Sequence, residues 1–132
     1  MIQADIRFLR DDVFEVKMSP SEVEQYIDKK KEGAAPQGPN PLEMLLASLG
    51  GCIGIYAKTY LRRHALAFGE LRVRACGELT TESPVRLVNL KIEVRTDAEL
   101  GPKKNVFMKF LKGCPVHNTV LHTDHIEIVL DT

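Results

Sequence analysis

The sequence predicts an α+β fold in which antiparallel sheet is laid against one long apolar helix. Two runs, Ile2 to Met18 and Leu71 to Arg95, alternate apolar and polar side chains, the period of half-buried strands. Between them Leu42, Leu45, Leu46, Leu49, Ile53, Tyr56, Tyr60 and Leu61 recur at three- and four-residue steps, the period of a helix. Taken along the chain, the patterns run ββ, α, α, ββ, α, β, which reads as one domain over residues 1–132.

The first element is a hairpin, with Ile2, Ala4, Ile6 and Phe8 on one face, a polar break at Arg10, Asp11 and Asp12, and a return through Phe14, Val16 and Met18. Ser19, Pro20, Ser21 and Glu22 then carry the pattern of a capping box, and Val23, Tyr26 and Ile27 predict a short helix reaching Glu32, ended by Gly33. The run from Gly33 to Asn40 holds two prolines and two glycines and predicts a loop. A second capping pattern, Asn40 to Glu43, opens the long helix. One face of it is apolar and the other carries Ala47, Ser48, Gly51, Gly54 and Ala57, so it is expected to be packed on all sides. Gly50 and Gly51 cost about 1 kcal/mol each relative to alanine in mid-helix, which predicts a close neighbour for that backbone. Two strands follow around Leu71 to Cys76 and Val88 to Arg95, turned by Glu82, Ser83 and Pro84. A helix over Lys103 to Lys112 ends at Gly113, a short turn or helix reaches Leu121, and a last strand holds Ile126, Ile128 and Leu130.

Composition excludes more than it selects. Eighteen basic and eighteen acidic residues cancel, and same-sign charge clusters only at Lys29, Lys30 and Lys31, which argues against nucleic acid or an anionic membrane as partner. The N-terminus alternates charge where a secretion signal needs an apolar stretch, and the uncharged run from Met44 to Ala57 is shorter than the ~20 residues that span a bilayer, so a cytoplasmic protein is expected. Three cysteines at irregular spacing read as free, catalytic or metal-binding rather than as a structural framework.

Among these, Cys52 lies inside the long helix beside two glycines. Packing alone accounts for it, and mid-helix placement denies it the activation of a helix N-terminus. Cys114 follows the helix-ending Gly113 and precedes the stiff Pro115, a fixed turn suited to meeting another thiol. Cys76 has Arg72 and Arg74 on its own strand face and no evident partner. Glu43 is explained by its place in the cap; it stands ~13 Å along the axis from Cys52, so any catalytic part would run through an arginine that both can touch. Cys114, His117, His122 and His125 offer metal ligands within twelve residues, but at a spacing no second element supports, and neither a metal nor another cofactor is expected.

With Asn40, Pro41, Leu42 and Glu43 leading to Leu49, Gly50, Gly51 and Cys52, and with Cys114, Pro115 and Val116 near the C-terminus, the chain resembles the OsmC/Ohr family of thiol-dependent hydroperoxide reductases. The resemblance implies an intertwined homodimer, sheets wrapped around long cysteine-bearing helices, and two sites at the subunit interface. It implies that Cys52 is the peroxidatic and Cys114 the resolving cysteine, joined as a disulfide after attack on an organic hydroperoxide and reset by an external dithiol reductant, in defence against oxidative stress. An arginine held by a glutamate would stabilise the thiolate. Arg10, followed by Asp11, is the better match for that arginine, with Arg7 the alternative; Glu43 stands for the glutamate one position after Leu42, where the Ohr branch places its own. The same fold could instead serve as a dimeric binding protein for a hydrophobic small molecule, without peroxidase activity.

Overall fold

The computed structural model describes residues 1–131 and has the α+β composition expected, with antiparallel sheets and helices. It divides into two compact units, Met1–Leu45 and the chain from Leu46 onward.

In the first unit β1 (Gln3–Arg10) and β2 (Val13–Ser19) form the expected hairpin, in register from Gln3 opposite Ser19 to Phe8 opposite Phe14. Asp11 makes the turn at φ 48°, a left-handed conformation that aspartate tolerates better than most residues. Phe8 and Phe14 meet edge to face at 5.5 Å between ring centres, the geometry that aromatic quadrupoles favour.

The helix expected from Pro20 to Glu32 does not form. Glu22 stands at φ 62°, outside helical space, and the Met18 and Glu22 amides donate to Val23 and Met18 carbonyls at 2.9 Å. The chain therefore doubles back as β3 (Glu24–Ile27), pairing Phe14 with Ile27 and Val16 with Gln25. An open strand edge offers a full ladder of hydrogen bonds, and four such pairings outweigh one local capping motif. Gly33, at φ 79°, serves a turn closed by the Lys31 to Ala34 bridge and ends no helix.

The helix α1 (Pro41–Arg63) begins where its cap predicts. The Glu43 amide donates to Asn40 Oδ1 and the Asn40 amide to Glu43 Oε1, each at 2.9 Å. At 23 residues it is long and apolar enough to cross a membrane by length and composition alone. Within the second unit, however, Ile53, Ala57, Tyr60 and Leu61 are buried in a cluster with Phe107, Leu111 and Cys114. Packing is not complete around the helix: Ser48, Gly51 and Ile55 are exposed, so the expectation of burial on all sides fails along that stripe.

β4 (Leu71–Leu79) and β5 (Leu87–Thr96) pair antiparallel, and Val73, Ile92 and Val94 pack partly buried against the α1 cluster. Asp97 ties the far end of this ribbon, accepting the Gly69 and Glu70 amides at 2.9 Å. After a single 3-10 turn at Gly101–Lys103 comes α2 (Lys104–Leu111), which presents Phe107 and Leu111 to the cluster. The short helix expected after Cys114 is α3 (Pro115–His122). The last strand is not paired: the segment from Thr123 carries Ile126, Ile128, Val129 and Leu130 in no strand or helix, each at least 75% exposed.

Candidate functional site

The two cysteines singled out by the sequence meet. Cys52, half-buried on α1, and Cys114, fully buried, are joined as a disulfide with Cα atoms 6.1 Å apart. Each arrives for a local reason. Gly50 brings α1 close to β4: a side-chain carbon there would stand 3.3 Å from Ala75 Cβ and 3.6 Å from Val73 Cγ1. Gly51 has nothing within 4 Å, so only one of the two glycines has its expected close neighbour within the protomer.

Cys114 is the N-cap residue of α3, extended at ψ 128°, with Pro115 in the first turn, where its missing N–H costs nothing. Its amide donates to the Leu111 carbonyl at 3.2 Å. Asn118 then pins the loop: its Nδ2 donates to the Lys112 carbonyl at 2.9 Å and to the Cys114 carbonyl at 3.0 Å. Sequence reasoning passed over Asn118. The signal was there, since an asparagine four residues after a Gly-Cys-Pro helix junction can reach back to the carbonyls that the junction leaves free.

A cavity of about 290 Å³ in the second unit is lined by Leu49 and Ile53 of α1, Leu90, Ile92 and Val94 of β5, and residues between Met108 and Leu121; neither Cys52 nor Cys114 is among its lining residues. Leu49 and Ile53 lie three positions before and one after Cys52, hence within about 100° of it around the helix. Lys112 and His117 are its polar lining residues, and His117 Nδ1 is buried without a hydrogen-bond partner.

The other expected site residues belong to the first unit. Arg10 donates from Nη2 to Gln37 Oε1 at 2.8 Å and forms no ion pair among the described residues. Arg7, the alternative, is committed to Glu15 at 2.8 Å, and that bond holds the Glu15 carboxyl below its ordinary value. Glu43 uses Oε1 in the α1 cap. Near Arg10, Asp28 is 4% exposed and accepts the Lys29 amide at 2.7 Å and the Gln37 amide at 2.9 Å. The Gln37 amide above all holds its carboxyl below the usual range, against the opposing effect of burial.

Cys76 is a free, exposed thiol on β4, opposite Lys91. The ligands weighed for a metal are not gathered. His117 and His122 lie on α3 and His125 beyond it, and no three histidine, cysteine or acidic side chains among the described residues stand close enough to hold an ion.

This combination, an α+β chain whose long helix carries one cysteine bonded to a second on a distant capped turn, is the arrangement that the resemblance to OsmC-like proteins implies. The family model described as OsmC-like protein matches residues 16–129, and the chain belongs to that family. Solved structures agree in fold. An OsmC-like protein from Mycoplasma pneumoniae superposes with a TM-score of 0.77 at 18% identity, covering 92% of this chain and 88% of that one. An organic hydroperoxide resistance protein from Elizabethkingia anophelis gives 0.64 at 17% identity, covering 92% and 89%. An OsmC-like hydroperoxide resistance protein from Jannaschia gives 0.59 at 17% identity, covering 98% and 91%. A sequence search of curated proteins gave no match.

Proposed function

We propose that this protein is a cytoplasmic, homodimeric thiol peroxidase that reduces organic hydroperoxides, residues 1–132 acting as one OsmC-like domain. The observation that supports the reading is the Cys52–Cys114 disulfide, the bond that a resolving cysteine would form with the helix cysteine. In the reduced protein the Cys52 thiolate attacks the terminal peroxide oxygen. The O–O bond breaks, the alcohol leaves, and Cys52 is left as a sulfenic acid. The Cys114 thiol displaces that hydroxyl as water to form the disulfide, which an external dithiol reopens by exchange. The apolar cavity lined by Leu49 and Ile53, neighbours of Cys52 along α1, suits a substrate with a hydrocarbon body. Hydroperoxide resistance proteins among its structural neighbours support the same substrate class.

Arg10 and Glu43 complete the proposed site. Arg10 has no carboxylate partner among the described residues, and Glu43 Oε2 is left over from the cap, so the two charges can pair without breaking an existing ion pair. An arginine fork held by a carboxylate would then favour the charged form of the Cys52 thiol.

The test is to treat fully reduced protein with one equivalent of cumene hydroperoxide while following peroxide consumption and mapping disulfides by mass spectrometry. Stoichiometric consumption with a new Cys52 to Cys114 crosslink is expected; unconsumed peroxide and free thiols would overturn the two-cysteine mechanism. The cavity also favours a second reading, a binding protein for a hydrophobic small molecule. On that reading Cys52→Ser leaves ligand affinity unchanged and no peroxide is consumed.

A further inference from the structure

Resting on the peroxidase reading, we propose that the external dithiol attacks the Cys52 sulfur, so that Cys52 carries the mixed disulfide and Cys114 is the sulfur that leaves. Exchange at a disulfide needs access to the sulfur attacked, and here the two sulfurs differ. Cys114 is 0% exposed and belongs to the buried cluster of α1 and α2, whereas Cys52 is only half-buried against it.

The cover over Cys114 comes from its own protomer, with Ala57, Leu61, Phe107 and Leu111 in the same cluster. Association with another copy can only add to it. The turn is also tied from within: the Cys114 amide donates to the Leu111 carbonyl at 3.2 Å, and Asn118 Nδ2 donates to the Lys112 and Cys114 carbonyls. Laying the Cys114 sulfur open therefore means breaking hydrogen bonds and unpacking apolar side chains. Cys52 needs no such opening, because the approach that admits a hydroperoxide to its sulfur in one half of the cycle admits a thiolate in the other.

Departure also suits Cys114. Exchange is faster when the leaving sulfur is the better thiolate. Cys114 is the N-cap of α3 and makes no side-chain cap bond while oxidised. The first amides of a helix have no intrahelical partner, and the N-cap side chain is the group placed to accept from them. Those amides and the positive end of the helix favour a thiolate there; burial opposes the charge, and proton uptake ends it.

The electrons balance over two steps. The entering thiolate forms an S–S bond to Cys52 as the Cys52–Cys114 bond breaks, and Cys114 keeps the electron pair and takes a proton. The second thiol of the reductant, once ionised, attacks its own sulfur in the mixed disulfide. The reductant closes to a cyclic disulfide, having given up two electrons, and Cys52 is freed as the thiolate that the next hydroperoxide meets.

The experiment forms the disulfide with diamide, so that nothing depends on peroxide, and caps the exposed Cys76 thiol with iodoacetamide. The oxidised protein is mixed with 2-mercaptoethanol, quenched at successive times with N-ethylmaleimide and mapped by mass spectrometry. Mercaptoethanol on Cys52 with maleimide on Cys114 is expected to exceed the reverse by about tenfold or more, the cost of opening one or two hydrogen bonds around Cys114. In guanidinium chloride, where both sulfurs are open to attack, the two products should fall within about threefold of each other. Mercaptoethanol mainly on Cys114, or equal amounts in the folded protein, overturns the order of exchange and leaves peroxide reduction untouched. A disulfide that resists mercaptoethanol until the protein is denatured overturns it too, since both sulfurs would then be closed, and an equal preference in folded and denatured protein overturns burial as the cause. A protein that gives the Cys52 adduct but consumes no cumene hydroperoxide overturns the peroxidase reading alone. Failure of diamide to join Cys52 to Cys114 overturns both.

Discussion

Asp28 is the buried charge among the described residues, and its two oxygens are both committed to amides, Lys29 and Gln37. Its carboxyl is held below the usual range by the Gln37 amide first, with the Lys29 amide and the charges of Lys31 and Arg10 adding to it. A carboxyl whose folded value lies below its unfolded value, near 3.9, stabilises the protein fully above that unfolded value. The contribution is lost as pH falls through the folded one. Asp28→Asn should therefore lower the denaturant midpoint at neutral pH, and the gap from wild type should close in strong acid, where both side chains are neutral. Denaturant titrations across that range check this, and a gap independent of pH would contradict it. Asp28 was not legible in the sequence, because its partner amide nine residues away leaves no pattern; Asn118 was readable, since it bonds the Cys114 carbonyl only four residues back, and was passed over. Cys52 and Cys114 were legible because each sits in a motif whose neighbours, Gly50 and Pro115, have their own structural purpose.

Helix α1 shows what periodicity can and cannot reveal. Its start was readable because a capping box is local: Asn40 and Glu43 satisfy each other's amides across one turn. The same local signature at Ser19 to Glu22 misled, because β2 offered Glu24–Ile27 a ladder of nonlocal hydrogen bonds that no window of sequence displays. The strands β4 and β5 were readable from alternation, whereas the alternating residues after Thr123 find no strand to pair with inside the protomer. The cap also lets the two roles of Glu43 be separated. Asn40→Ala should cost about 1 kcal/mol of stability. Glu43→Gln should keep stability within a few tenths, because glutamine serves the third position of a capping box as well as glutamate does. If Glu43 holds Arg10 against the thiolate, Glu43→Gln nevertheless slows peroxide reduction, by about tenfold for each 1.4 kcal/mol of lost stabilisation. Chemical denaturation beside peroxide-consumption kinetics gives both readings, and a Glu43→Gln protein with undiminished kinetics would confine Glu43 to the cap.

For the whole molecule, charge balance and exposed apolar surface point the same way. With eighteen charges of each sign the chain has no net charge to keep copies apart. It leaves Ile126, Ile128, Val129 and Leu130 exposed at 78%, 91%, 75% and 85%, and Ile55 of α1 at 62% beside the bare Gly51. Exposed apolar side chains in such number mark association surfaces. The alternation of Ile126, Ile128 and Leu130 is the pattern of a strand, and a second copy pairing with this segment would cover them. A stable dimer needs roughly 800 Å² buried on each copy, which the α1 stripe and the exposed segment after Thr123 are expected to supply together. The protein should therefore sediment at twice its 14.8 kDa chain mass at micromolar concentration. Gly51→Trp and Ile128→Asp should each shift it toward the monomer, the first by wedging a ring where the stripe is flat, the second by placing a charge where an apolar side chain would be covered. Because Gly51 has nothing within 4 Å in the protomer, the tryptophan has room there and should leave the far-ultraviolet circular dichroism of the folded chain unchanged. That separates a broken interface from a broken fold. Wild-type protein sedimenting as a monomer would remove the dimer from the proposed function, and both variants remaining dimeric would place the interface on another face.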